Sequence, residues 1–160
     1  MSEELEVRWR RARAWLERVR AASSRIEPLV REIDALKDAR TEMLPWQTGK
    51  GGGGSGVGAH SDPTATQAER RIEGLDELIA DRQAKLDAQV RTVGDCGMAL
   101  EAMAGRLGER HAKALELYYI DGADTWSEVA GELGISYSWL CRLRNEAYPW
   151  IEARYGRLLS

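Results

Sequence analysis

The sequence predicts an all-α fold, in which a long, coiled-coil-like helical hairpin precedes a small C-terminal unit of shorter helices. Two stretches on either side of a glycine-rich run carry apolar residues at steps of three and four, the spacing of one helix face. After the second stretch, shorter helical patterns follow one another between glycine, proline and capping residues. The last of these patterns is the most specific, because several constraints are met in one register.

Length and composition allow one ordinary domain, or one small domain with an extended element. The chain has 160 residues and a formal net charge of -3, so no overall basic excess indicates a nucleic-acid partner. The charge is uneven: ten basic and five acidic residues lie between Val7 and Arg40, against nine acidic and five basic ones between Ser61 and Glu101. Helices of opposite charge pair favourably, so the asymmetry indicates pairing within one chain or between subunits.

No stretch of the sequence predicts a membrane segment. The chain begins with charged residues, and no apolar run approaches the roughly 18 residues that a span requires. Cys96 and Cys141 show neither metal-site nor disulfide spacing. We therefore expect a cytoplasmic protein without a membrane partner.

Residues 1–47 are predicted to form the first long helix. Its apolar stripe has the spacing of a coiled-coil or helical-hairpin seam and comprises Leu5, Trp9, Ala12, Leu16, Val19, Ile26, Val30 and Ile33. Pro28 lacks a backbone donor and clashes with the preceding turn, so we expect a kink or a break between Ser24 and Glu27. Leu44-Pro45 is expected to end the helix.

Residues 48–64 are predicted to form a flexible linker, because they have no apolar periodicity and cannot bury a face. The glycine run contains matches to nucleotide-binding patterns. However, no strand precedes it, and Lys50 is not followed by serine or threonine, so we predict no nucleotide site. Residues 65–107 are predicted to form the second long helix, with an apolar stripe of Ile72, Leu75, Ile79, Leu86, Val90 and Val93.

Residues 108–160 have the pattern of a helix-turn-helix domain. A supporting helix from about Glu109 to Tyr119 is expected to end at Asp121-Gly122. Asp124 or Thr125 is expected to cap the next helix, with Glu128 placed to complete a capping box with Thr125. The motif requires a small apolar core, for which the sequence supplies Val129, Leu133, Ile135, Leu140 and Leu143. Ala130 fits the close crossing of two helices, and Gly134 fits a left-handed turn. A last helical piece is expected after Tyr148-Pro149.

The exposed face of the second helix, with the turn before it, holds the candidate DNA-binding residues. They are Ser136, Tyr137, Ser138, Cys141, Arg142, Arg144 and Asn145. Arg142 has the bidentate geometry for guanine and Asn145 that for adenine, whereas Ser136, Tyr137 and Ser138 suit phosphates. The alternative is that Arg142 and Arg144 only solubilise an exposed face.

Electrostatic affinity for DNA from this domain alone is expected to be modest. From Glu109 to Ser160, eight acidic residues oppose six basic ones. A dimer, or the arginine-rich first helix, would compensate. That helix carries Arg8, Arg10, Arg11 and Arg13 among tryptophans, and it admits three interpretations: a solvated coiled-coil face, a second nucleic-acid contact, or a membrane-surface helix. The coiled-coil interpretation is favoured because Trp9 extends the apolar stripe.

No group of residues predicts catalysis, a cofactor or a metal site. His60 and His111 lie far apart, and neither has the local spacing to a cysteine that zinc sites use. No serine has the sequence context of a nucleophile elbow. Tyr118, Tyr119 and Trp126 are expected in the core of the small domain, while Trp139 either braces the preceding helix or faces a partner.

The C-terminal residues resemble a known family. Y-I-D-G at residues 119–122, followed by W-S-E-V-A-G-E-L-G-I-S-Y-S-W-L-C-R-L, resembles the helix-turn-helix of sigma factor region 4. The wider layout, with S-D-P-T-A at residues 61–65 after the glycine run, is similar to small phage regulators of the RinA/ArpU type. The resemblance implies a phage or prophage transcriptional regulator of the late-gene activator type. It also implies double-stranded DNA as the partner and RNA polymerase as a second candidate.

We therefore expect a non-enzymatic, sequence-specific DNA-binding regulator that forms a homo-oligomer through its long helices. Two alternatives remain at this point. A small terminase-like subunit for DNA packaging would also join a helix-turn-helix to an oligomerising helical region. A sigma-like module could instead dock on RNA polymerase without reading DNA.

Overall fold

A computed structural model of the chain describes residues 9–48 and 63–159, and these are helical apart from short turns. The helices are α1 Arg10–Thr48, α2 Pro63–Arg106, α3 Glu109–Leu115, α4 Trp126–Leu133 and α5 Tyr137–Tyr155, with a π-helical segment at Glu116–Ile120. No strand occurs in these two ranges, so the predicted all-α class is confirmed. Most of the predicted linker, residues 49–62, lies outside the described residues, as does Leu5 of the apolar stripe.

The first helix continues without a break through Pro28 and past Pro45 to Thr48. The predicted break between Ser24 and Glu27 is therefore wrong, and so is the expected end at Pro45; a kink stays a prediction. Pro28 removes the donor that the carbonyl of Ser24 would use, but both residues are exposed and water can replace that donor. Buried residues before and after the proline stabilise the helix across it.

Two compact units divide the chain. Among the described residues, the first comprises residues 9–26 and 88–159, and the second comprises residues 27–48 and 63–87. In the second unit the end of α1 runs antiparallel to the start of α2, because residues later in α1 pair with residues earlier in α2. Arg82 Nε lies 2.6 Å from Glu32 Oε1, and Arg40 Nε lies 2.5 Å from Asp76 Oδ1.

The core of the first unit joins parts of the chain that are distant in sequence. Helix α1 contributes Ala12, Leu16 and Val19 to this core, and α2 contributes Cys96, Leu100 and Met103. Leu115 comes from α3, Tyr119 from the π-helical segment, and Ala147, Tyr148 and Ile151 from α5. A smaller second cluster joins α3, α4 and α5 through Ala114, Leu117, Val129, Ala130 and Leu140. The start of α1 is therefore part of the structure that holds α4 and α5 in place.

The supporting helix differs from the prediction. It is α-helical only to Leu115, after which Glu116–Ile120 winds as a π-helix, with Asp121 N donating to Glu116 O at 2.9 Å. The wider turn leaves backbone carbonyls free at its end. Arg20 donates to the carbonyl of Tyr118, and Ser23 Oγ donates to the carbonyl of Ile120 at 2.5 Å. Long-range partners from α1 thus stabilise a conformation that local sequence does not predict.

The last helix is also longer than predicted. Pro149 lies inside α5, which continues to Tyr155, so the separate helical piece after Pro149 does not exist. Tyr148 and Ile151 on either side of the proline are buried, and their packing holds the helix together. In residues 9–48 and 63–159, no helix combines the length and the apolar content needed to cross a membrane.

Candidate nucleic-acid interface

Helix α4 is capped by Thr125, one of the two residues that the sequence offers. Thr125 has extended backbone angles, and its Oγ1 accepts a hydrogen bond from Glu128 N at 3.2 Å. The Glu128 carboxylate in turn accepts from Asp124 N at 3.1 Å, one residue before the cap. These bonds satisfy backbone donors that a helix start leaves unpaired, so they fix where α4 begins.

The turn after α4 depends on Gly134. Its backbone is left-handed, with φ 65° and ψ 34°, as predicted. Ile135 N donates to Ala130 O at 3.1 Å, which pairs one of the last carbonyls of α4. Ser136 then caps α5, since its Oγ accepts from Trp139 N at 3.2 Å. The three residues between the helices, 134–136, therefore redirect the chain from α4 into α5.

One face of α5 holds the helix pair together. Leu140 and Leu143 are buried, and Leu140 packs in a cluster with Val129 and Ala130 of α4. These positions follow the spacing of a single apolar stripe along α5. Val129, Leu140 and Leu143, which the sequence pattern placed in a small apolar core, are buried. Leu133 and Ile135 pack against the same cluster while remaining partly exposed.

The opposite face of α5 is open. Tyr137, Ser138, Arg142 and Asn145 are exposed and Cys141 is half-buried, at spacings that place all five on one side of the helix. Ser136 is exposed just before them. The structure thus brings six of the seven predicted site residues onto one surface. We call this surface the open face of α5.

Arg144 is the exception. Its Cζ lies 4.1 Å from the centroid of the Trp126 ring and 5.7 Å from that of Tyr148, and its Nε donates to the Tyr148 hydroxyl at 3.3 Å. Arg144 is half-buried and packs against aromatic rings, so we assign it a structural role between α4 and α5. Its sequence position two residues after Arg142 did not reveal that Arg144 is packed while Arg142 is exposed.

Beside the open face lies a groove that sequence reasoning missed. Trp139 is 42% exposed, and Arg110 Cζ lies 4.6 Å from its ring centroid. His111 Nε2 lies 2.5 Å from Glu146 Oε2, while His111 Nδ1 is buried without a partner in the described chain. Arg142 completes the lining of this groove of about 550 Å³. Only the tertiary contact between α3 and α5 forms the groove, so no local signal could have predicted it.

The net charge of the first unit changes the expected electrostatic affinity for DNA. Within the first unit, residues 9–26 and 88–159 contain fourteen basic and eleven acidic residues. In the second unit, residues 27–48 and 63–87 contain seven basic and eleven acidic residues. The unit that carries α4 and α5 is therefore net basic in its described part, although the chain as a whole is acidic. The arginines at the start of α1 account for the difference.

The described residues contain no group of three or more His, Cys, Asp or Glu side chains that could hold a metal ion. Burial raises the pKa of the Cys96 thiol to about 12, which keeps it protonated near neutral pH. No family model matches the chain, and no curated protein and no solved structure is significantly similar to it.

Proposed function

We propose that α4 and α5 form a helix-turn-helix and that the protein is a cytoplasmic, sequence-specific regulator of transcription that binds double-stranded DNA. The observation that carries this proposal is the open face of α5, which begins at Ser136 and extends to Asn145 beside a fully packed opposite face. In helix-turn-helix proteins, the first turns of the second helix contact base edges in the major groove. The chemistry of this face fits that use.

The side chains on the open face divide into two kinds. Arg142 can donate two hydrogen bonds to guanine O6 and N7, and the Asn145 amide matches adenine N6 and N7. Ser136 and Ser138 can donate to phosphate oxygens, because the Ser136 cap uses its oxygen as an acceptor and leaves its hydrogen free. Residues for base recognition and for positioning therefore share one surface.

The likeness of residues 119–143 to sigma factor region 4 supports a role in transcription and, with the RinA/ArpU-type layout, a phage or prophage setting. The net basic charge of the first unit supports attraction to the DNA backbone.

Base recognition can be tested on DNA selected from a random pool by the full-length protein. The affinity of the wild type for the selected duplex and for a scrambled one is then compared with that of Arg142→Ala and Asn145→Ala. Each substitution should weaken specific binding by about 1–3 kcal/mol and leave nonspecific binding nearly unchanged. Arg91→Ala removes an exposed arginine of α2 and is the matched control. Equal, weak binding of every duplex by the wild type would exclude base recognition.

A second candidate partner is RNA polymerase, and the exposed Trp139 is the observation that favours it. A tryptophan that is 42% exposed and stacked by Arg110 has the composition of a protein-binding hot spot. Capture of polymerase by the wild type, lost in Trp139→Ala, together with no affinity for selected DNA, would favour this alternative.

We also propose that the long helices mediate self-association, since regulators of this architecture bind paired half-sites as dimers. In the second unit, Val30 and Leu78 leave 40% and 43% of their surface exposed. Mass photometry tests the proposal: a dimer supports the regulator, a ring-sized oligomer supports the small terminase-like alternative, and a monomer at every concentration excludes both forms of association.

A further inference from the structure

The start of α1 lies against the continuation of the open face of α5. Glu152 follows Asn145 by seven residues, or two helical turns, and therefore lies on the same side of α5. Its Oε2 accepts a hydrogen bond from Ala12 N at 2.8 Å. Arg13 Cζ lies 5.9 Å from the ring centroid of Tyr148, which follows Cys141 by seven residues. Beyond Asn145, the side of α5 that carries the open face thus contacts the first turn of α1.

Side chains from the start of α1 and the end of α5 hold this junction in place. Ala12 and Leu16 are fully buried in the main core, and the half-buried Trp9 packs against it. Trp15 and Tyr155 have ring centroids 6.5 Å apart. These contacts are long-range and apolar, so the first turns of α1 have a defined position relative to α5.

The exposed surface at the junction is strongly basic. Arg10 and Arg11 are exposed and form no ion pair among the described residues. Between residues 9 and 26, six arginines stand against one acidic residue, Glu17. The one carboxylate that α5 brings to the junction, from Glu152, already accepts a backbone hydrogen bond.

We propose that Arg10 and Arg11 contact the phosphates that border the DNA site of α5, a proposal that rests on the proposed function. Two helical turns separate Asn145 from Glu152, about 11 Å along α5, which is comparable with the width of about 12 Å of the major groove. A side chain at that distance along the open face reaches the backbone at the edge of the groove. Arg10 and Arg11, which form no ion pair within the described part of the chain, supply the electrostatic affinity that residues 109–160 lack.

The position of the arginines distinguishes DNA from other anionic partners. A membrane-surface helix needs an apolar face available for lipid, whereas Trp9, Ala12 and Leu16 are packed in the protein core. Phosphate contacts contribute affinity independent of sequence, and each phosphate neutralised steepens the salt dependence of binding. Replacing Arg10 and Arg11 should therefore change the salt dependence of binding, whereas replacing Arg142 and Asn145 should change the preference for one DNA sequence.

The test compares Arg10→Gln/Arg11→Gln with the matched control Arg25→Gln/Arg91→Gln, which removes two exposed arginines elsewhere in the first unit. Affinity for the selected and scrambled duplexes is measured over a range of salt concentrations with the full-length protein. We expect the test variant to bind both duplexes roughly tenfold more weakly near 0.1 M salt, with a slope of log K against log salt shallower by about 1–2. The preference for the selected duplex should remain.

Arg10→Lys/Arg11→Lys keeps the charge and should retain the slope of the wild type, and circular dichroism checks that every variant is folded. A test variant with the slope of the control would overturn this inference while leaving base recognition intact. The same holds if the arginine substitutions abolish binding to anionic lipid vesicles and leave the salt slope on DNA unchanged. If the wild type binds no duplex, both proposals fail.

Discussion

The guanidinium of Arg144 stacks on the indole of Trp126, with Cζ 4.1 Å from the ring centroid. Trp126 is the first residue of α4 and Arg144 lies within α5, so the stack ties the two helices together. Arg144 also donates to the hydroxyl of Tyr148, which lies 2.8 Å from that of Tyr119 in the core. Arg142, two residues earlier, is exposed on the open face. Arg142 and Arg144 therefore have separate roles.

Arg144→Ala should lower the free energy of unfolding by about 1–2 kcal/mol, because it removes a partly desolvated cation–π contact and a hydrogen bond. Arg142→Ala should change it by less than about 0.5 kcal/mol, as is usual for exposed positions. Urea denaturation of both variants measures the difference. Equal stability of the two variants would contradict the structural role of Arg144.

Arg20→Ala should loosen the connection between the π-helical segment and α4. Arg20 Cζ lies 4.0 Å from the ring centroid of Tyr118, and Nη1 donates to the carbonyls of Tyr118 and Ala123, the latter at 2.9 Å. Loss of these bonds leaves part-buried carbonyls without a donor, which costs about 1–3 kcal/mol.

Hydrogen exchange tests this expectation at the backbone amides of residues 120–125, which should exchange faster in Arg20→Ala. Arg25→Ala, one exposed arginine further along α1, is the control and should leave exchange in this segment unchanged. Suppose that the Arg20→Ala variant is more stable than the Arg25→Ala control, or that exchange of residues 120–125 is unaltered. Other contacts then connect the π-helical segment to α4.

Gly134→Ala should destabilise the turn by about 1–2 kcal/mol. The cost is conformational, because a Cβ at Gly134 would meet no atom within 4 Å, whereas its φ of 65° is disfavoured for alanine. Gly131→Ala lies in α4, also meets nothing within 4 Å, and should stabilise by about 0.5–1 kcal/mol. Thermal unfolding of the two variants should shift in opposite directions, and a shift of the same sign would refute the left-handed turn.

The features predicted correctly from sequence depend on residues close together in the chain. The Thr125 cap, the left-handed Gly134 and the burial of Val129 and Leu140 follow from rules about one turn or one helix face. The apolar stripe of α1 was also recognisable, since Ala12, Leu16 and Val19 repeat at helical spacing and are fully buried. Rules about single turns and single helix faces were therefore sufficient to predict these features.

The features predicted wrongly, or missed, depend on partners far away in the chain. The π-helical segment is stabilised by Arg20 and Ser23, nearly a hundred residues earlier. Helix α5 continues through Pro149 because tertiary packing around the proline outweighs its local cost. The different roles of Arg142 and Arg144 depend on where Trp126 lies. Sequence spacing placed the candidate site on one helix, but only tertiary contacts separate its exposed residues from its packed ones.

The two cysteines should differ in reactivity, and the difference reports on the open face. Cys96 is fully buried and its pKa is raised to about 12 by that burial, so neither the thiolate nor access is available to a reagent near pH 8. Cys141 is half-buried on the open face of α5. In the native protein we expect one slowly and one readily alkylated thiol, with Cys96→Ser and Cys141→Ser assigning the two.

Bound DNA should protect Cys141. If α5 lies in the major groove, the selected duplex covers the open face and slows alkylation of Cys141 severalfold, while a thiol reagent in urea modifies both cysteines at similar rates. Cys96 provides the internal control, because its protection depends on folding and is independent of DNA. Alkylation of Cys141 at the same rate with and without saturating DNA would place the bound duplex away from α5, even if binding itself were sequence-specific.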